Sequence, residues 1–274
     1  MPDLAVVIPH YNRYEFLARC VASLLADGLE PEAILVVDNA SADDSVALLG
    51  RQFPAVQRIA NPDNRGFARA ANQGIFATRS RYVLLLNNDT EVLPGTLEAL
   101  VEFADAHRDA GAVGCRLLQS DGTPHRLPAS IFSPLAWDLE HPRRVPWLVG
   151  AALLLRREAL EAIGGLDESF FFYYEDLDLG LRLRRAGWRN YFTPAGRIVH
   201  HEKASTSLVR PMSLANLYRG RLLLARRYHP WAYGLTRSWL RLTLALSVAQ
   251  AKTRGAEGRA LVQAAGEIRA ILGE

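Results

Sequence analysis

The sequence of 274 residues has little cysteine, no phosphate-binding glycine signature and no long apolar run. Cys20 and Cys115 are too few for a disulfide framework and lack metal-ligand spacing, which fits a reducing compartment and two small buried side chains. No G-x-x-x-x-G-K-[ST] segment occurs, which argues against a Walker-type nucleotide hydrolase. No G-x-G-x-x-G follows the first apolar run, which argues against a nicotinamide dehydrogenase. That first run, residues 4–8, has no basic segment before it and no small-residue cleavage site after it, so a strand is expected rather than a signal peptide. The uncharged stretch 242–251 is about half the roughly 20 residues needed to cross a bilayer, so no transmembrane helix is expected. Acids are scarce in one place. Residues 203–259 hold eleven Lys/Arg and one acid, Glu257, a local balance of +10 in a chain of net charge +3, so the remainder carries −7. The two parts are expected to face different partners.

What is present is regular. The apolar runs LAVVI (4–8), AILVV (33–37) and YVLLL (82–86) each end in a polar cluster, PHYN, DNAS and NNDT. They read as buried parallel strands. Segments near 14–26, 42–50 and 66–78 have helical spacing, the second with Ser41 or Asp43 as a cap. This alternation predicts a doubly wound α/β sheet with the polar clusters converging beyond the strand ends, where such sheets bind ligands. Further on, 111–135 reads as strands and a loop, VPWLVGAALLLRREAL as a strand running into a helix near Glu158, and WRNYFTP and GRIVHHE as two short strands. Residues 213–227, 231–251 and 256–272 read as helices.

Three carboxylates, Glu175, Asp176 and Asp178, directly follow five aromatics, Phe170 to Tyr174. Leu177, Leu179, Leu181 and Leu183 fit a strand or a helix. A helix is chosen, because Asp178 and Arg182 then pair at i, i+4 on an outer face and Gly187 stops it. Glu175 and Asp176 then sit in the first turn, where the helix dipole favours ionised carboxylates. Asp38 after strand two could accept a hydrogen bond from a base or ribose, and Asp89 after strand four could hold a cation against a diphosphate; loop or capping roles stay open for each.

Six blocks in order, VVIPHYNRYEFLARCVASLL, VVDNASADDS, NRGFARAANQGI, LLLNNDTEVLPGTL, GAALLLRREALEAIGGLDESFFFYYEDLDLGLRLRRAGW and IVHHEKAS, resemble family 2 inverting glycosyltransferases, and most closely the rhamnosyltransferase-like bacterial members. The resemblance covers residues 4 to about 207. It implies a GT-A fold, a Rossmann-like mixed but mainly parallel sheet flanked by helices, with a catalytic domain over 1–207 (nucleotide-binding half 1–110, acceptor-binding half 111–207). A basic helical extension over 208–274 completes the expected organisation.

The resemblance also implies roles. Pro9, Tyr11 and Asn12 match the loop along the nucleotide base, and Asp38 the acid that reads a pyrimidine N3–H. Asn64, Asn88 and Arg69 fall on the nucleotide side, Arg69 near the pyrophosphate or else solvated on its helix. Asn87-Asn88-Asp89 stands where the family has its D-x-D metal motif, but only Asp89 is a carboxylate. A second ligand to Mn²⁺ or Mg²⁺ is expected from His200, with His201 the second choice; imidazole favours manganese. Glu175-Asp176 matches the pair whose aspartate is the catalytic base, and Trp147, Gly150, Ala151 and Tyr174 lie toward the donor sugar or acceptor.

The expected activity is transfer of a sugar from a pyrimidine nucleotide donor, dTDP-L-rhamnose or a UDP-sugar, to a cell-surface glycan or polyprenyl-diphosphate-linked acceptor. The alternative is a non-catalytic nucleotide-sugar-binding or scaffold subunit. The basic tail, with Tyr218, Trp231, Tyr233 and Trp239 among arginines, reads as a peripheral membrane contact or as helices packing on the catalytic domain or on a second subunit of a homodimer. No motif supports nucleic-acid binding. The expected location is cytoplasmic, at the inner face of the cell membrane.

Overall fold

A computed structural model of the chain describes residues 3–125, 140–201, 210–251 and 255–273. The chain divides into two compact units, Met1–Ser169 with Asp176–Ser205, and Phe170–Glu175 with Thr206–Glu274.

The first unit opens with β1 (Leu4–His10), α1 (Tyr14–Ala26), β2 (Ile34–Asp38), α2 (Ser45–Gln52), β3 (Gln57–Ala60), α3 (Phe67–Ala77) and β4 (Tyr82–Leu86). It continues with β5 (Thr90–Val92), α4 (Thr96–Ala106), β6 (Ala110–Leu118), β7 (Arg143–Val145), β8 (Ala152–Arg156), α5 (Arg157–Ile163), α6 (Glu175–Arg185) and β9 (Arg189–His200). The sheet order is β3-β2-β1-β4-β8-β6-β9-β5, with β7 paired to β9. Strands β1 to β4 run parallel, whereas β8 lies antiparallel to both β4 and β6.

Side chains on β1 alternate between two cores, as a strand's period of two requires. Val6 and Ile8 join Leu17, Leu24, Val36 and Leu84 on one face. Val7 joins Ile75, Leu85, Leu153, Leu155 and Leu179 on the other. Because both faces are covered, β1, β2 and β4 are apolar up to the polar ends His10 and Asp38 of the first two, and that is why they read as continuous runs in the sequence. Gly74 marks the close approach of α3 to the sheet, since a Cβ there would collide with the Val7 side chain.

Several expectations are corrected. WRNYFTP and GRIVHHE are one strand, β9, rather than two. Its pairing with β6 slips between Gly114 and Arg116, opposite the stretch that contains Pro194 and Gly196, residue types a strand accommodates at such an irregularity. Neither Ser41 nor Asp43 is the N-cap residue of α2, which is Asp44; Ser41 serves Asp38, and Asp43 takes the Arg13 and Ser45 N–H groups. The part of 111–135 beyond residue 125 lies outside the described residues.

Asp178 is fully buried rather than on an outer face. Its carboxylate accepts from Arg182 Nε at 2.6 Å, and Arg182 Nη1 donates to the carbonyls of Ile163 and Gly165 at 3.0 and 2.7 Å. The pair therefore ties α6 to the turn after α5. The i, i+4 spacing alone did not disclose this, because it also fits a solvated pair.

In the second unit, α7 (Arg210–Tyr228), α8 (Tyr233–Ala249) and α9 (Gly255–Leu272) pack around Ala215, Leu222, Leu240, Leu244 and Ile268. Phe170 is buried, with the Arg227 guanidinium 5.7 Å from its ring centroid. Tyr173 and Tyr174 both have positive φ, 72° and 71°. A Cβ on Gly220 of α7 would meet the Tyr174 ring at 2.6 Å, so glycine admits that ring.

Asp178→Ala, which leaves the Arg182 guanidinium without its buried partner, is expected to destabilise the chain by about 3–5 kcal/mol. Denaturant unfolding measures this, and a loss below about 1 kcal/mol would mark the pair as effectively solvated.

Candidate active site

The parallel register brings the ends of four strands to one edge. His10 pairs with Asp38, and Asp38 with Ala60. The ladder continues past them, Asn39 N donating to His10 O at 2.8 Å and Asn61 N to Asp38 O at 2.9 Å. Val7 opposite Leu85 sets the tip of β4 beside that of β1, and there Asn88 Nδ2 donates to His10 Nδ1 at 2.8 Å.

The loop after β1 is pinned to the loop after β2. Asn12 N donates to Ser41 Oγ, Asn12 Oδ1 accepts from Ala42 N, each at 2.7 Å, and Arg13 N donates to Asp43 at 2.8 Å. These bonds hold Asn12 and Arg13 at φ 58° and 68°, a left-handed conformation that asparagine tolerates better than most residues. Asp38 is buried and accepts from both the hydroxyl and the N–H of Ser41. A carboxylate offers about four lone-pair sites, so acceptor capacity remains. Pro9 is buried in β1 and Tyr11 half-buried beyond it.

The loop before α3 depends on Asn39, which the sequence reading passed over. Its buried side chain donates to Asn64 Oδ1 and Gly66 O at 3.1 and 3.0 Å and accepts from Arg65 N at 3.1 Å. Asn64 Oδ1 also takes the Gly66 N–H at 3.0 Å, so Asn64 shapes the turn that starts the helix. Arg69, in the first turn of α3, pairs with Glu168 at 2.9 Å.

Beyond β4, Asp89 and His200 come together, Oδ1 and Nε2 being 3.4 Å apart and both side chains nearly buried. His200 Nδ1 has no hydrogen-bond partner among the described residues. His201 is committed elsewhere, to Glu91 through Nε2 at 2.7 Å and to Ser120 through Nδ1 at 2.8 Å. His200 rather than His201 therefore presents its side chain to the Asp89 carboxylate, while His201 donates only its backbone N–H, to the Asp89 carbonyl at 2.9 Å. His125, also missed in the sequence, is buried with its ring 5.7 Å from that of His200. No cluster of three or more His, Cys, Asp or Glu suited to a metal occurs among the described residues. Asp89 and His200 offer one oxygen and one nitrogen donor, a pair that could hold a divalent cation only together with oxygens from a ligand.

Asp176, in the first turn of α6, accepts from Gly150 N at 2.9 Å and from Leu177 N at 2.7 Å. A Cβ at Gly150 would lie 3.2 Å from Asp176 Cβ, which explains glycine there. The segment holding Gly150 is fixed on both sides. Ala151 O accepts from Asn87 N at 2.9 Å, and buried Asn190 donates to Pro146 O and Gly180 O, each at 3.0 Å. Trp147 stands on this segment with its Cα and Cβ close above Gly180. Burial raises the Asp176 pKa above the ordinary carboxylate value, although the Gly150 and Leu177 N–H bonds act the other way. Glu175 is buried and belongs with Tyr174 to the second unit.

The model of the family described as "Glycosyl transferase family 2" matches residues 5–164, more than half the chain. The chain belongs to glycosyl transferase family 2. It is 30% identical to an N-acetylglucosaminyl-diphospho-decaprenol L-rhamnosyltransferase of Mycobacterium tuberculosis, over 89% of this chain and 91% of that protein. It is 32% identical to the O-antigen biosynthesis protein RfbC of Myxococcus xanthus, over 74% of this chain but 18% of that one. These likenesses mark a glycosyltransferase of the rhamnosyltransferase-like type. Among solved structures, GalNAc-T7 with UDP, GalNAc and Mn²⁺ aligns with TM-score 0.63 at 16% identity, covering 84% of this chain and 51% of that one. The mannosyltransferase PcManGT of Pyrobaculum calidifontis with GDP-Man and Mn²⁺ aligns with TM-score 0.60 at 18% identity, over 97% and 87%. At such identities these two speak to the fold alone, which is GT-A.

In this family 2 glycosyltransferase, His10 is the unexpected member of the sheet edge. It is buried, its Nδ1 accepts from Asn88, and its Nε2 has no partner among the described residues. Burial lowers its pKa from 6.5 to about 4, against the opposing pull of Asp38 and Asp43. The signal in the sequence was a histidine inside an otherwise apolar strand end, which does not by itself distinguish a buried neutral ring from a solvated one.

Because the folded pKa lies below the unfolded one, the stabilisation is full above pH 6.5 and is lost as pH falls toward 4. The loss amounts to about 3 kcal/mol for this group. Nitrogen chemical shifts of the His10 ring are expected to report the neutral Nε2–H tautomer down to about pH 4. Titration near 6.5 would mean the ring is open to water.

Proposed function

We propose that this chain transfers a sugar from a pyrimidine nucleotide donor to a lipid-linked glycan acceptor by a single inverting displacement, with Asp176 as the base. One observation carries the reading. Asp176 is hydrogen-bonded to Gly150, and the next residue, Ala151, is hydrogen-bonded to Asn87 at the tip of β4. The candidate base and the candidate diphosphate-binding group, Asn88 and Asp89, thus belong to one continuous hydrogen-bonded frame.

In this reading Asp38 accepts the N3–H of the base while the pinned loop of Pro9, Tyr11 and Asn12 lies along its ring. Uracil and thymine share that edge; the similarity to an L-rhamnosyltransferase favours dTDP-L-rhamnose over a UDP-sugar. Asn64 and Arg65 shape the turn that leads the backbone into α3, whose N-terminal N–H groups favour an anion. Arg69 would have to leave Glu168 to reach a phosphate. Asp89 and His200 would hold Mn²⁺ or Mg²⁺. When bound, the cation neutralises charge on the departing diphosphate.

Gly150 borders Asp176, Trp147 and Ala151 lie on the same segment, and all three are assigned to the sugar side. The acceptor hydroxyl gives its proton to Asp176 as its oxygen attacks the anomeric carbon from the face opposite the nucleotide. Two backbone N–H bonds fix the carboxylate, and its raised pKa makes it a stronger base than an exposed aspartate. Asp178, locked to Arg182 in the interior, has no part in this chemistry. An acceptor on a polyprenyl diphosphate is supported by the name of the mycobacterial relative, whose acceptor is N-acetylglucosaminyl-diphospho-decaprenol.

Asp176→Asn is expected to lower kcat by about 10²–10⁴-fold with donor affinity little changed. Turnover close to that of the unaltered chain would remove the assignment. Since the base must be ionised and its pKa is raised, kcat/KM is expected to fall on acidification at a pH above the ordinary aspartate range. A decline confined to the ordinary range would contradict it. Asp89→Ala is expected to weaken metal-dependent donor binding, measured by calorimetry with and without Mn²⁺, and an unchanged affinity would exclude it as a ligand.

A further inference from the structure

Helix α8 is apolar on two faces. Leu240 and Leu244 point into the second unit's own core and are each 2% exposed. On the other side Leu235, Trp239, Leu242 and Leu246, spaced i, i+4, i+7 and i+11, are 72, 52, 59 and 55% exposed. Trp231, in the short turn before the helix, is 80% exposed. An ordinary surface helix puts charged residues there. A contiguous stripe of large apolar side chains in water marks an interaction surface.

The charge around the stripe indicates its partner. Between Arg210 and Ala249 there are seven arginines and no acid. The Arg221 guanidinium lies 5.2 Å from the Trp239 ring centroid, at the edge of the stripe. A second copy of the chain seated on this face would bring another α8, which carries Arg237 and Arg241 and no acid, against it. An anionic bilayer offers the complement, headgroup charge for the arginines and an acyl boundary for leucine, with tryptophan at the level between. No helix among the described residues is long and apolar enough to cross a membrane, so the contact is with the surface.

We propose that the stripe Trp231, Leu235, Trp239, Leu242 and Leu246, flanked by arginines, docks this glycosyltransferase on the face of an anionic lipid bilayer. The inference rests on the observed face, and it deepens the proposed function, since a polyprenyl-linked acceptor is presented at such a surface.

The test uses the full chain without donor or acceptor. Sedimentation with vesicles of phosphatidylcholine containing about 30% phosphatidylglycerol is expected to carry the protein down. Pure phosphatidylcholine vesicles, or high salt, should reduce binding about tenfold or more. The variant with Trp239→Ser and Leu242→Ser is expected to lose binding by at least about tenfold while keeping its melting temperature, since both positions are exposed. It should also keep its rate on a short-chain, water-soluble acceptor. No binding to the anionic vesicles, or equal binding by the variant, overturns the proposal. A lipid-free dimer in sedimentation velocity that the variant abolishes overturns it too, in favour of self-association. Failure of transfer with vesicle binding intact would instead count against the proposed chemistry.

Discussion

The parallel ladders of β1 with β2 and β4 set where the candidate groups sit, because a strand's end position follows from its register. His10 opposite Asp38, and Val7 opposite Leu85, bring the polar residues after all three strands to one edge. A shift of one residue would turn every buried side chain of β1 to the wrong face. The apolar alternation that fills two cores therefore also fixes the loop geometry. Stability and site placement have a common cause in this half of the sheet.

The other half is joined to it through β8. Leu86 pairs with Ala152, and the segment just before Ala152 carries the glycine that bonds Asp176. Helix α6 is in turn held by Asp178 and Arg182 against the turn after α5. The three neighbouring carboxylates thus differ by environment. Asp178 is a buried structural anchor, and Asp176 is the proposed base, held at the sheet edge by backbone N–H groups. Glu175 lies in the second unit.

Much of the architecture was legible because buried strands and amphipathic helices leave periodic traces. LAVVI, AILVV and YVLLL became β1, β2 and β4, and the three C-terminal helices fall within a few residues of their expected bounds. The family and the GT-A fold followed from ordered motifs. What escaped was tertiary. Pro194 and Gly196 suggested a break in β9, yet the partner strand's irregularity accommodates them. Asn39 and Asn190 are ordinary letters in the sequence, and their importance lies in backbone groups brought to them from 10 to 44 residues away. The exposure of Asp178 could not be read from its spacing to Arg182. His10 and His125 likewise carry no local pattern that separates a buried ring from a solvated one.

The central claim is that one carboxylate on this sheet edge serves the acceptor, with no second protein nucleophile. A single displacement inverts the anomeric carbon, whereas a covalent glycosyl intermediate would retain its configuration. The most direct test is the anomeric configuration of the transferred sugar, read by carbon–proton coupling in the product of a donor labelled at the anomeric carbon. The account predicts the configuration opposite to that of the donor. A product with the donor's configuration would contradict it.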